Sequence, residues 1–400
     1  MSFLAHRLSM IKPSPTLEIS AKAAALKAAG QDVIGLGAGE PDFDTPDFIK
    51  EAALKSLKRG ETKYTAVEGT LSLRKAICQK FLTENELIYD PSEIIVSCGG
   101  KHVIFNAMIS TLNPGDEVVI PAPYWVSYLD IVLLFGGVPK IAQGGEDKNF
   151  KITPDLLEGM ITPKTKWVIL NSPSNPTGMC YDENELKALG EVLKKHPSVW
   201  ILSDDIYEHL IFGGLKFKTL AQVVPPLKSR ILIVNGVSKT YAMTGWRIGY
   251  GAAPKELISS MKMVQSQCTS NATSIAQAAA EEALKGDQTF LKERQKIFEE
   301  RRNRIVDLLN ACPLLSCLKP EGAFYVYPSV KGIIGKKTPQ GKILTTDSEV
   351  ATYLLDSVGV AVVPGEAFGL SPYVRISYAT SMDILEEACE RLKKGIEQLV

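Results

Sequence analysis

The segment GVSKTYAMTGWRIG, residues 236–249, places the cations Lys239 and Arg247 among glycines and small hydroxyl residues. It follows the apolar run ILIVN at 231–235, which is typical of a buried strand. A lysine amine can bond covalently to an aldehyde. An arginine guanidinium binds phosphate or carboxylate with two hydrogen bonds. Because a lone lysine at a strand end usually faces solvent, this segment indicates a site only if other chemical groups join it.

Three further apolar strands end in polar turns. These turns are CGGK after IIVS (94–97), SPSNPTG after KWVILN (166–171) and DDIYEHL after VWILS (199–203). In the first, the N–H groups at a helix start would bind a phosphate, with Lys101 adding charge. The other two supply Asn175, Tyr207 and Asp204, a carboxylate that is costly beside a buried strand unless it meets a cation or donor. Taken alone, each turn is explained by a structural role, such as a plain strand-to-helix turn or a proline-rich turn. For Asp205 we favour the N-cap of a following helix.

The alternation of apolar strands with amphipathic segments between about residues 94 and 250 predicts an α/β fold. Its sheet would be mostly parallel with helices on both faces, and the stretch 184–196 would be one of the surface helices. Ligands of such sheets bind beyond the carboxyl ends of the strands, where the four turns meet. Together they offer a phosphate cradle, a carboxylate, an amide, a phenol and an amine. This set suits pyridoxal phosphate, with Arg247 completing the phosphate site.

We predict two domains from the positions of the remaining patterns. The large cofactor-binding domain spans 48–294, and the smaller α+β domain combines 1–47 with 295–400. A long helical pattern from Asn271 through Leu309 leads the chain out of the large domain. The small domain would contain GAFYVYP, AVVPG, YVRISYA and a last helix from Met382. The N-terminal residues join it because a new helix starts near Pro46.

Composition excludes several classes of function. The 400 residues include 45 Lys and Arg and 45 Asp and Glu, so no net field attracts nucleic acid or an anionic membrane. The apolar stretches are too short to span a bilayer, and no signal peptide is recognisable. Seven scattered cysteines without a C-x-x-C indicate free thiols in the cytoplasm. The four histidines are isolated from one another, so we predict no metal site.

The motifs resemble those of class I aminotransferases, beginning with GVSKTYAMTGWRIG, which resembles the lysine-attachment signature of that family. Further matches, in chain order, are GAGEPDFDTP (37–46), KYTAVEGTLSLRKAI (63–77), NSPSNPTG (171–178), SDDIYEHL (203–210), EGAFYVYP (321–328) and YVRISYA (373–379). The resemblance covers essentially the whole chain. It is strongest to the bacterial aspartate aminotransferase branch that includes aspartate/prephenate aminotransferases.

This resemblance implies a fold-type I homodimer with active sites at the subunit interface. Its implied catalytic residues are Lys239, which carries the cofactor, Asp204 on the pyridine nitrogen, and Tyr207. The other implied cofactor ligands are Gly100, Lys101, Trp125, Asn175, Ser238, Arg247 and, from the partner subunit, Tyr64. The implied substrate-binding residues are Gly39, Trp125, Asn175, Arg375, Lys101 and Lys12.

Two departures leave alternatives open. Some relatives place a phosphate-binding serine where this chain has Gly236, and Ser238 is the substitute we name. No arginine aligns for the distal carboxylate of the substrate, so Lys101 and Lys12 are both candidates. Arg375 has independent support, because alternation in YVRISYA sets it opposite to its apolar neighbours, where its fork suits a carboxylate. A structural salt bridge is the other explanation for this arginine.

The predicted function is amino-group transfer between L-aspartate and 2-oxoglutarate, alternating between pyridoxal and pyridoxamine phosphate in ping-pong order. Prephenate or aromatic aminotransferase activity is the alternative, and C–S lyases share the same cofactor. A nucleotide-dependent oxidoreductase is disfavoured because Glu40 stands where the G-x-G-x-x-G fingerprint needs glycine. A DNA-binding regulator would need an extra N-terminal module, and only about forty residues precede the large domain.

Overall fold

The computed structural model of the protein describes residues 3–13 and 15–400. The helices are α1 Pro15–Ala28, α2 Asp47–Lys58, α3 Leu71–Asn85, α4 Gly100–Thr111, α5 Ser127–Leu134, α6 Pro154–Met160, α7 Glu183–Lys194, α8 Leu220–Val223, α9 Lys255–Ser266, α10 Ser274–Lys285, α11 Phe290–Asn310, α12 Asp347–Val358 and α13 Met382–Glu397. The strands are β1 Ile34–Gly35, β2 Ile94–Ser97, β3 Glu117–Ala122, β4 Val138–Gln143, β5 Thr165–Asn171, β6 Trp200–Asp204, β7 Ile231–Gly236, β8 Gly249–Ala252, β9 Tyr325–Val326, β10 Val360–Ala361, β11 Val363–Pro364 and β12 Val374–Ser377.

The large sheet has seven strands in the order β2-β8-β7-β6-β5-β3-β4. Only β8 runs antiparallel to its neighbours. Every residue of β2 and of β7 is buried, as expected for continuous apolar runs covered by helices on both faces. Because β2 runs in the same direction as β5, β6 and β7, their carboxyl ends lie at one edge. The prediction that the four polar turns share an edge is confirmed.

The four predicted strands named above and a fifth predicted from the apolar run EVVIP at 117–121 are all present, to within a residue or two at each end. The predicted surface helix is α7, which begins with a capping box between Asp182 and Glu185. The structure adds β4 and β8, which the sequence analysis did not include.

Two local predictions are wrong. The helical pattern from Asn271 through Leu309 is two helices, α10 and α11, with an extended break at Gly286. A side chain at Gly286 would lie 2.5 Å from the ring of Phe48, so tertiary packing requires glycine here. Asp205 is not an N-cap, since no helix follows until Leu220. Its carboxylate is buried and accepts a 2.7 Å hydrogen bond from Ser203 Oγ instead.

Separate hydrophobic clusters lie on the two faces of the large sheet, and a third lies in the C-terminal lobe. In that lobe β11, β12 and β9 form an antiparallel sheet, and β10 pairs with β1. The N-terminal residues Ala23 and Val33 pack there against Leu355 and Ala361. On this packing we propose the domain boundaries predicted above, 48–294 for the large domain and 1–47 with 295–400 for the small one.

No helix within residues 3–13 and 15–400 combines the length and the apolar character needed to cross a membrane.

Candidate active site

A cavity of about 520 Å³ opens at the carboxyl edge of the large sheet and reaches the C-terminal lobe. The structure brings together in its lining Gly39, Gly100, Lys101, Trp125, Asn175, Asp204, Tyr207, Ser238, Lys239, Arg247 and Arg375. Of the predicted site residues, Tyr64 and Lys12 do not line it, and both are exposed. The individual roles of all these residues remain predictions.

Lys239 extends from the turn after β7 into this cavity. Its Nζ donates a hydrogen bond to the carbonyl oxygen of Gly39, in the loop after β1. Burial lowers the pKa of Lys239 to about 8, with Glu40 opposing the shift and Arg375 adding to it. A substantial fraction of this amine is therefore neutral, and able to act as nucleophile or base, near physiological pH.

Asp204 is the last residue of β6, and its carboxylate lies buried at the cavity wall. Its Oδ2 accepts a 2.5 Å hydrogen bond from the hydroxyl of Tyr128, and its Oδ1 accepts one of 3.4 Å from the backbone N–H of Ile206. Burial raises the pKa of Asp204 to about 6, although the Tyr128 donor opposes the rise. A cation next to this carboxylate would favour its ionised form. The protonated nitrogen of a pyridine ring is such a cation.

The candidate phosphate cradle lies at the start of α4. Gly99 is the N-cap, with a φ of +90° that favours glycine, and a side chain there would lie 2.5 Å from Nη2 of Arg247. A side chain on Gly249 would lie 2.2 Å from the backbone nitrogen of Gly100. The two glycines thus let the Arg247 guanidinium and β8 approach the start of α4 closely. The N–H groups of that helix start, the guanidinium and the buried Ser238 are the groups that could bind a phosphate.

Lys101 lies beside this cradle, with its Nζ 5.0 Å from the ring centroid of Trp125. The ring of Trp125 in turn packs edge-on against Tyr128, with 5.3 Å between centroids. Burial and the nearby Arg247 lower the pKa of Lys101. Two positive groups therefore face the same part of the cavity, which favours ligands with more than one negative charge.

Arg375 is buried in β12 and lines the cavity from the C-terminal lobe. Its Nη1 donates to Oδ1 of Asn175 at 2.8 Å, and its Nη2 donates to the carbonyl oxygen of Gly37 at 2.6 Å. No carboxylate of the described residues lies within ion-pair distance, so the alternative of a structural salt bridge is wrong. Its buried Nε has no acceptor in the described part of the chain. A buried guanidinium with free donors fits a ligand carboxylate.

Several residues of this cavity were not predicted from the sequence. Tyr325 packs its ring 4.6 Å from the Arg375 guanidinium, and its hydroxyl lies 2.9 Å from that of Tyr207. The Oδ1 of Asn171 accepts a hydrogen bond from the backbone N–H of Asn175 and so fixes the loop that carries Asn175. Tyr325 stands in EGAFYVYP, a motif quoted above, which was the available signal. Tyr128 ends the stretch PAPYWVSY (121–128) that contains Trp125, but its contact with Asp204 joins elements remote in the chain.

These groups fit pyridoxal phosphate: an amine of lowered pKa, a buried carboxylate and a phosphate cradle line one cavity. The aminotransferase class I and II family model matches residues 31–392. The chain belongs to the aminotransferase class I and II family.

Aminotransferases of bacteria resemble it over their whole length. A probable aspartate/prephenate aminotransferase of Rhizobium leguminosarum is 59% identical over 394 residues, which cover 98% of each chain. The aspartate/prephenate aminotransferase of Cereibacter sphaeroides is 56% identical, again over 98% of each. The crystal structure of the aspartate aminotransferase of Rhizobium meliloti superimposes with a TM-score of 0.97, at 53% identity over 100% of both chains.

The aspartate aminotransferase of Thermus thermophilus, solved with maleate, has a TM-score of 0.92 at 40% identity and covers 99% of this chain and 100% of its own. These findings confirm the predictions of a fold-type I transaminase that uses pyridoxal phosphate. They confirm too the resemblance to the bacterial aspartate/prephenate branch.

Proposed function

We propose that this aminotransferase moves the amino group between L-aspartate and 2-oxoglutarate, in ping-pong order. The observation that carries the proposal is the pair of cationic groups that line one cavity, Lys101 from α4 beside the large sheet and Arg375 from β12 of the C-terminal lobe. A dicarboxylate such as aspartate presents one carboxylate to each. The related Thermus enzyme was solved with maleate, which is a dicarboxylate of the same chain length as aspartate.

Arg375 would bind the α-carboxylate, helped by Asn175. The guanidinium of Arg375 donates hydrogen bonds to the Gly37 carbonyl and the Asn175 side-chain amide. These bonds fix its orientation before substrate binds. Because this geometry is set in advance, the substrate loses less entropy on binding. The distal carboxylate would meet Lys101, or Lys12 as the second candidate.

Lys239 would carry the cofactor and then act as the base that takes the proton from Cα. Burial keeps the pKa of this amine near 8, which suits proton transfer close to neutral pH. Asp204 would hold the proton on the ring nitrogen, and Tyr207 and Asn175 would bond the ring oxygen. Pyridoxal phosphate supplies the electron sink that makes the Cα proton acidic.

Prephenate is the second candidate substrate. It is favoured by the names of two relatives, both aspartate/prephenate aminotransferases. Prephenate is also a dicarboxylate, so the same two cations would bind it, and the cavity of about 520 Å³ has room for its ring.

We further propose that the active protein is a homodimer of the cytoplasm. Tyr64, which the resemblance places in the partner's active site, is 90% exposed in the single chain. All seven cysteines are free thiols, in keeping with a reducing compartment.

One assay tests the function. The purified protein is incubated with 2-oxoglutarate and either aspartate, phenylalanine or tyrosine, and separately with prephenate and glutamate, and the initial rates are ranked. Aspartate should rank first among the amino acids. Lys239→Ala should abolish turnover and the visible absorbance of bound cofactor while the protein stays folded. Full turnover in that variant would refute the proposal.

A further inference from the structure

A partly buried group of charged residues lies outside the cavity and has no part in the reaction proposed above. This cluster, here called the clamp cluster, consists of Lys80, Glu84, Glu208 and His209. The side chains of Lys80 and Glu208 are 1% and 4% exposed and form an ion pair. Lys80 Nζ also lies 3.4 Å from Glu84. Because an unpaired charge is costly at this depth, the positions of Lys80 and Glu208 are tightly constrained.

The clamp cluster resembles a metal site but already holds a cation. Ligand atoms of Glu84, Glu208 and His209 lie within 4.8 Å of one another. The ammonium of Lys80 already lies within ion-pair distance of both carboxylates. The other hydrogen bonds of the clamp cluster indicate a different role.

Glu208 connects the clamp cluster to the strand before Lys239. Its Oε1 accepts a 2.7 Å hydrogen bond from Nδ2 of Asn235, the penultimate residue of β7. The Oδ1 of Asn235 accepts a 2.7 Å hydrogen bond from the backbone N–H of Gly236. The amide of Asn235 thus joins Glu208 to the point at which β7 gives way to the turn.

His209 makes a second connection, on the other side of Lys239. Its Nδ1 lies 3.2 Å from Oγ1 of Thr240, the residue directly after Lys239, and its Nε2 lies 2.9 Å from Oε2 of Glu84. The adjacent residues 208 and 209 therefore contact the chain both before and after the lysine.

The same residues, 208 and 209, continue the turn that carries Asp204 and Tyr207. We propose that Asn235 and Thr240 are positioning residues, which fix the Lys239 turn against the Asp204–Tyr207 turn through Glu208 and His209. This inference rests on the proposed role of Lys239. One bound cofactor must meet the amine from one turn and the carboxylate from the other, so their separation has to be held to a fraction of an ångström.

Asn85 offers a matched control for Asn235. It is equally buried, and its Nδ2 donates to Oε2 of Glu208 at 3.1 Å, but it ends α3 and is remote from the Lys239 turn in the chain. Asn235→Leu and Asn85→Leu each remove one amide donor from the same carboxylate at similar side-chain volume. Both variants should lose thermal stability, but only Asn235→Leu should loosen the turn that carries Lys239.

The test has two readouts besides activity. Without cofactor, hydrogen exchange of the peptide 236–244 should become about tenfold faster in Asn235→Leu and stay unchanged in Asn85→Leu. With pyridoxal phosphate bound, the pH midpoint of the visible absorbance should shift by roughly half a unit or more in Asn235→Leu alone. If Asn235→Leu does not fold, Thr240→Val removes the His209 contact with no buried charge left unpaired, and the same result is expected.

Equal behaviour of the two asparagine variants in both readouts would overturn the inference. Lys239→Ala, assayed in parallel, distinguishes this from failure of the proposed function. If Lys239→Ala retains turnover, the role of Lys239 is wrong. If Lys239→Ala is inactive and Asn235→Leu behaves like Asn85→Leu, only the positioning role is wrong.

Discussion

The hydroxyl of Tyr128 donates a 2.5 Å hydrogen bond to Oδ2 of Asp204 inside the cavity wall. Burial raises the pKa of Asp204 to about 6, and the phenol limits this rise because a donor stabilises the ionised carboxylate. Tyr128 therefore keeps Asp204 available as a counter-ion for a protonated ring nitrogen.

Tyr128→Phe should lower kcat/KM for aspartate about tenfold or more and weaken the binding of pyridoxal phosphate. The expectation follows because a hydrogen bond to a charged group contributes roughly 1.5–3 kcal/mol. Steady-state kinetics and a cofactor titration of the cofactor-free protein measure the two effects.

Tyr89→Phe is the control for that variant. The hydroxyl of Tyr89 is also buried but has no hydrogen-bond partner among the described residues, so removing it deletes the same atom without a lost bond. Equal losses of activity in the two variants would show that Tyr128 acts only through packing.

The carboxyl-edge turns could be predicted because their signals are local. Each follows a short apolar run, and the rule that ligands bind at this edge of a parallel sheet needs no tertiary detail. The break at Gly286 could not be predicted, because helical periodicity continues across it. Glycine is required there by the close contact with Phe48, which only the fold reveals. Likewise the burial of Asp205 depends on the absence of a helix after β6, which a DDIYEHL turn does not reveal.

The cavity was predictable residue by residue only where a motif carried the signal. Lys239, Asp204 and Arg375 each stand in a quoted motif and all reach the cavity. Tyr128 also lines the cavity, but its role depends on a contact with Asp204, which is remote in sequence. Long-range hydrogen bonds of this kind require the fold.

Arg375→Lys should lower kcat/KM for aspartate by about 100-fold, even though it keeps the positive charge. Lysine cannot form the two parallel hydrogen bonds of the guanidinium, and it would leave the Asn175 and Gly37 acceptors unsatisfied. Arg304→Lys, an exposed position on α11, is the control and should leave kinetics unchanged. An Arg375→Lys enzyme with ordinary kcat/KM would contradict the carboxylate site.

Lys101→Met and Lys12→Met should separate the two candidates for the distal carboxylate. If Lys101 binds it, Lys101→Met lowers kcat/KM for aspartate by about 10- to 100-fold and has little effect on phenylalanine. Lys12→Met should then have the smaller effect, because Lys12 does not line the cavity. A loss of cofactor affinity in Lys101→Met, equal for all substrates, would instead assign Lys101 to the phosphate.

Lys239 of the cofactor-free protein should react with an amine-acylating reagent with a midpoint near pH 8. Burial lowers its pKa from 10.5 to about 8, so the reactive neutral amine appears at lower pH than on an ordinary lysine. Peptide mass spectrometry across a pH series, with free N-acetyl-lysine as competitor, gives the midpoint. A midpoint above pH 10 would mean that the amine is not desolvated.

Asp205→Asn should change how stability depends on pH. Burial raises the pKa of Asp205 from 3.8 to about 7 in the folded protein. Between these pH values the unfolded chain has released the proton while the folded chain retains it. The free energy of unfolding of the parent therefore falls as pH rises from about 4 to about 7, and the full penalty is present above pH 7.

Asparagine cannot ionise, so the stability of Asp205→Asn relative to the parent should improve across this window. The gain is a few kcal/mol at most, since each unit of pKa shift corresponds to about 1.4 kcal/mol. Urea unfolding of the cofactor-free proteins at pH 5 and pH 8 measures it. Ser203→Ala should act in the opposite direction: it removes the 2.7 Å donor to Asp205 and raises that pKa further. The decline in stability of this variant therefore continues to higher pH and is larger between pH 5 and pH 8 than that of the parent. If all three proteins lose stability in parallel between the two pH values, the buried carboxylate of Asp205 is not the group that titrates.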